Sequence, residues 1–99
     1  MVHEVIWSGL ALKTYIGNIE YLEKEWSESE VRNFIAAVQR KLFTLSLQPR
    51  IGVITNKRRN IRKTVINKRI VLIYRHKPRK QEIELVRFFN TYQRPLADS

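Results

Sequence analysis

The chain has 99 residues, 19 of them Lys or Arg against 9 Asp or Glu, a formal charge of +10, and no cysteine. That length supports one modest hydrophobic core, which excludes multi-domain enzymes and large barrels and predicts one domain over residues 1–99. Without cysteine, disulfide frameworks, Cys-ligated zinc and thiol catalysis are also excluded, and 43% hydrophobic residues mark a folded domain rather than a disordered basic tail.

The opening Met1–Trp7 has no basic segment followed by an apolar one, and no run approaches a bilayer span. The expected compartment is therefore the cytoplasm, with no membrane partner. Residues 2–7 are β-prone and predict a first strand. From Ser8, a candidate N-cap, the period changes: Leu12, Tyr15, Ile16, Ile19, Leu22 and Trp26 form one stripe of a helix over 10–25. Gly17 inside it costs about 1 kcal/mol against Ala, and marks either a weak point or a close crossing with a neighbouring helix.

Ser27 followed by Glu30 is a capping box that restarts the helix signal. Val31, Phe34, Ile35, Val38, Leu42 and Leu45 follow at helical spacing until Pro49. So short a break between two amphipathic helices predicts an antiparallel hairpin. Strands are then expected at Ile51–Thr55, Ile61–Ile66, Arg69–His76 and Ile83–Phe89. The third of these is almost continuously apolar and reads as a central strand buried on both faces. The order β–αα–ββββ gives an α+β fold, with an N-terminal strand and a two-helix hairpin packed on a small, mainly antiparallel sheet.

Charge divides the chain at Pro49. Residues 1–48 carry 5 basic and 6 acidic side chains, residues 49–99 carry 14 and 3, and no acid lies between Lys57 and Lys80. Lys57, Arg58, Arg59, Arg62, Lys63, Lys68, Arg69, Arg75, Lys77, Arg79 and Lys80 exceed what a solvated sheet edge needs, and they suit phosphate. Within the basic half, Lys57, Arg58, Arg59, Arg62, Lys63, Arg69, Arg75 and Arg87 are the residues expected to meet nucleic acid or another target. Tyr92 is placed to stack a base or give up a phenolic proton, and Arg94 or Arg87 to hold a phosphate; equally, Tyr92 is a hydrophobic plug and Arg94 an exposed tail residue. Two histidines make no metal cluster, and His76 reads as a surface residue whose cationic neighbours disfavour the imidazolium. No metal, small-molecule cofactor or phosphate-cradling glycine loop is expected.

Taken together, Val5-Ile6-Trp7-Ser8, Tyr21-Leu22-Glu23-Lys24-Glu25-Trp26-Ser27, Pro49-Arg50-Ile51-Gly52, Asn60-Ile61-Arg62-Lys63, Ile73-Tyr74-Arg75 and Arg87–Pro95 resemble the RelE/ParE family of small toxins from bacterial type II toxin–antitoxin modules. The likeness lies in the ordered set over nearly the whole chain, since no single motif is specific. It implies two helices on a small sheet and a cognate antitoxin that neutralises the toxin. It also implies one of two actions: ParE-like poisoning of DNA gyrase, or RelE-like, metal-independent cleavage of mRNA on the ribosome. A non-toxic basic nucleic-acid-binding module is the remaining reading. RelE-like nucleases place a catalytic Arg just before a Leu-Val-Tyr-like triplet; here Val71 precedes Leu72-Ile73-Tyr74. Where many relatives read Asp-Thr-Arg-Gln-Asn-Pro, this chain reads Asn90-Thr91-Tyr92-Gln93-Arg94-Pro95. Arg62, Arg75, Tyr92 and Arg94 remain as candidates to supply charge or a weak acid, with no evident base. Gyrase poisoning is the expected action.

Overall fold

The computed structural model of the chain describes residues 2–67 and 70–91. Its elements are β1 (Glu4–Trp7), α1 (Gly9–Glu25), α2 (Glu28–Leu47), β2 (Val53–Asn56), β3 (Ile61–Asn67), β4 (Ile70–Lys77) and β5 (Glu82–Asn90). The five strands form one sheet in the order β1-β5-β4-β3-β2. β2 to β5 are an antiparallel meander, while β1 lies parallel to β5. The α+β architecture expected from the sequence is the one observed.

Both helices begin on serines whose backbone is extended. Ser8 Oγ accepts from the Ala11 N–H at 2.9 Å, and Ser27 Oγ accepts from the Glu30 N–H at 3.2 Å. The helices pack on one sheet face around Phe34, Val38, Leu45, Leu72, Tyr74, Ile83, Leu85 and Phe88. Trp7, Tyr15, Phe34 and Phe88 meet there with ring centroids 5.2 to 6.2 Å apart.

Four expectations are corrected. The α1 stripe is rolled: Ala11, Asn18 and Leu22 are buried, whereas Leu12 and Ile16 are 51% and 46% exposed. Polar contacts set that roll. Between Ile73 and Tyr74 of β4 the pairing with β5 shifts by one residue, so Val86 has no opposite number. Ser8 Oγ donates to the Val86 carbonyl at 3.0 Å, and Thr14 Oγ1 accepts from the Phe88 N–H at 2.8 Å. These bonds fix which side of α1 meets the sheet. Gly17 marks no helix crossing, since a Cβ built there meets nothing within 4 Å.

The third correction concerns β4. It is central in the sheet, but it is not buried on both faces: Ile70, Leu72, Tyr74 and His76 are buried, and Val71, Ile73, Arg75 and Lys77 are only half-buried. The helices cover one face, and among the described residues no element covers the other. β2 also begins two residues later than expected, because Ile51 and Gly52 are engaged in the loop before it, where the Ile51 N–H donates to the Gln48 carbonyl and the Gly52 N–H to Tyr74 Oη.

Candidate target and nucleic-acid interface

Strand pairing sorts the predicted basic residues into three places. On the uncovered face, Val53, Lys63, Ile73 and Arg87 form one row across four strands. Arg87 belongs to it because of the unpaired Val86: strict alternation from Ile83 and Leu85 would have turned Arg87 into the core. Next to it runs a row of three apolar residues, Val65, Val71 and Phe89. Val65 is 56% exposed. The residue before the Leu72-Ile73-Tyr74 triplet therefore stands on open sheet between two other apolar side chains.

Arg62 lies on the opposite face, paired with Tyr74. Its Nη1 donates to the carbonyls of Arg50 at 3.0 Å and Gly52 at 2.8 Å. Tyr74 Oη donates to the Pro49 carbonyl at 2.7 Å and accepts from the Gly52 N–H at 3.0 Å. Arg62 and Tyr74 together hold the loop between α2 and β2. Burial raises the Tyr74 pKa, only partly offset by the Gly52 N–H and the Arg62 charge, so the ring stays a phenol and keeps its proton for Pro49.

His76 is 5% exposed, not the surface residue its sequence neighbours suggested. The alternation of β4 turns it to the helix side, where its ring lies 5.2 Å from that of His3. Burial pushes its pKa down, and His3, Arg50 and Arg62 add to the shift. The cations responsible come from the loop and β3, across the fold, and not from Arg75 and Lys77 beside it in sequence. His3, His76, Pro49, Ile51 and Pro78 line a cavity of about 530 Å³. Among the described residues, His3 Nδ1 and His76 Nε2 have no hydrogen-bond partner there.

The third place is the end of the sheet where two turns meet. Arg58, Arg59, Arg75, Lys77, Arg79 and Lys80 line a cavity of about 410 Å³, together with Asn60, His76 and Pro78. The turn 57–60 leads from β2 to β3, and 78–81 from β4 to β5. Asn60 and Gln81 close these turns with φ of 57° and 53°, a conformation non-glycine residues adopt mainly in tight turns. Lys77, Arg79 and Lys80 belong to the basic stretch that suits phosphate but not to the narrower set expected to meet a target; the antiparallel β3–β4 pairing brings them to Arg58 and Arg59. Lys57 is exposed in the same β2–β3 turn. Arg69, Tyr92 and Arg94 lie outside the described residues. Among the described residues no group of three or more His, Cys, Asp or Glu could hold a metal, and no helix is long and apolar enough to cross a membrane.

A five-stranded, mainly antiparallel sheet backed on one face by a helix hairpin, with a strongly basic second half, is the build of a small toxin of the RelE/ParE fold. The family model described as the ParE toxin of the type II toxin–antitoxin system parDE matches residues 5–95, and the chain belongs to that family. No curated protein matches the chain. Membership in a toxin family sets aside the reading as a non-toxic binding module.

Proposed function

We propose that this ParE-family toxin arrests growth by poisoning DNA gyrase and is held inactive by a cognate antitoxin. Val71 carries the choice between the two toxin actions. Cleavage of RNA through its 2′-hydroxyl builds negative charge on the phosphorane that a cation must stabilise, and RelE-like nucleases, which the chain resembles, place an arginine for this on the central strand. Here that position is apolar, and so are its cross-strand neighbours Val65 and Phe89. Of the described arginine candidates, Arg62 has its guanidinium engaged by the loop carbonyls of Arg50 and Gly52, and Arg75 donates its Nε to the Arg59 carbonyl of the β2–β3 turn. Lys57, Arg58, Arg59, Lys63, Arg69, Arg75 and Arg87 are proposed to meet the gyrase–DNA target.

Induced expression tests this reading, with transcript ends mapped and gyrase cleavage complexes trapped in the same cells. Intact transcripts and accumulated gyrase–DNA complexes are expected, with the arrest and the complexes relieved by co-expression of the cognate antitoxin. Codon-phased cleavage with untouched gyrase would instead mean an mRNA interferase.

A further inference from the structure

The cavity between the two turns differs from the rest of the surface in kind. Its walls carry, among the described residues, four arginines and two lysines, and no carboxylate. Among the described residues one carboxylate engages this cluster: Glu84, 3.3 Å from Lys77 Nζ. Arg58, Arg59, Arg79 and Lys80 form no ion pair among the described residues, and they stand exposed. So many like charges around one hollow repel each other, and a bound polyanion relieves that repulsion.

The walls are also held in place. Asn56 Oδ1 accepts from the Arg59 N–H at 3.0 Å, and the Asn60 carbonyl accepts from the His76 N–H at 3.0 Å. Arg75 Nε donates to the Arg59 carbonyl at 3.2 Å, which leaves its terminal amino groups for a ligand. Across the cavity, the Lys80 and Gln81 N–H groups donate to the Lys77 and Pro78 carbonyls at 3.2 and 3.1 Å. A charged hollow with tethered walls loses little order when it binds.

We infer that this hollow is a phosphate-binding site that seats the phosphodiester backbone of DNA. The inference rests on the gyrase reading for the choice of DNA as the nucleic acid. The lining argues for a nucleic acid over an acidic protein segment. Protein–protein interfaces have an apolar centre from which charge is depleted, whereas nucleic-acid interfaces are polar and densely cationic. Among the described residues, Pro78 is the one apolar side chain lining this site. The exposed apolar residues Val65, Phe43 and Leu47 lie on other parts of the surface. Arginine outnumbers lysine four to two in the lining, and its fork pairs two phosphate oxygens at once.

The test is fluorescence anisotropy of the full chain with a labelled duplex of about 30 bp between about 50 and 200 mM salt. A single-stranded RNA of equal length and a poly-glutamate peptide serve as competitors. Arg58→Ala/Arg79→Ala/Lys80→Ala removes three exposed charges, and Lys13→Ala/Arg40→Ala removes two exposed charges from the helix layer as a control. The triple variant is expected to bind DNA at least about tenfold more weakly at 100 mM salt, with the log–log salt slope reduced by about 2 to 3. The control is expected to lose less than about threefold. Unchanged DNA binding by the triple variant, an equal or larger loss in the control, or displacement by poly-glutamate or RNA at concentrations below that of duplex competitor each overturns the inference. Gyrase trapping by the wild-type chain is scored separately. Trapping without DNA binding at the hollow leaves the gyrase reading standing and removes this one. Intact gyrase with hollow-dependent duplex binding removes the gyrase reading alone.

Discussion

At the scale of single residues, the loop before β2 shows how much one side chain can settle. A Cβ on Gly52 would stand 2.5 Å from Tyr74 Oη and 2.8 Å from the Lys63 carbonyl, and the latter is backbone that cannot swing aside. Gly52→Ala is therefore expected to destabilise the fold by about 1–3 kcal/mol in urea unfolding. Tyr74→Phe leaves the Pro49 carbonyl and Gly52 N–H without the hydroxyl that serves both, at a cost of about 1–3 kcal/mol. His76 gives the pH dependence. Its folded-state pKa lies below the unfolded value of about 6.5, so between the two the unfolded chain binds a proton that the folded one refuses. Its contribution is complete above pH 6.5 or so and is lost as pH falls from there through the folded-state value. The urea midpoint should thus drop on acidification from neutral pH, and His76→Gln should flatten that drop; an equal drop in both proteins would refute the assignment.

At the scale of elements, the two helix N-caps look alike in sequence but differ in consequence. Ser27 satisfies one N–H of its own helix, so Ser27→Ala should cost about 1 kcal/mol. Ser8 satisfies Ala11 and also donates to Val86 in β5, tying helix to sheet. Ser8→Ala is expected to cost more than Ser27→Ala in parallel thermal melts. Gly17 offers the opposite case. Its Cβ space is open and its conformation helical, so Gly17→Ala should stabilise the chain by about 0.5–1 kcal/mol. The existence and type of each element could be read from apolar spacing, since that period follows backbone geometry. The roll of α1 could not, because it depends on Ser8 and Thr14 meeting strand residues more than seventy positions away.

At the scale of the whole molecule, Phe88 joins the layers, meeting Trp7 of β1, Tyr15 of α1 and Phe34 of α2. Phe88→Ala should cost about 3–5 kcal/mol, enough to threaten the folded population of a small domain. The charge division at Pro49 and the absent arginine at Val71 were plain in the sequence, because composition and motif position need no third dimension. So was the fold class. What tertiary structure decided was grouping. The unpaired Val86 sent Arg87 outward and Phe88 inward. Strand pairing put Arg62 under a loop and His76 in the interior, and it gathered Arg58, Arg59, Arg75 and Arg79 around one hollow. A sequence lists its charges in order along a line, and like charges repel at any separation. Only backbone hydrogen bonds across the sheet and the packing of the core hold them close enough to make a site.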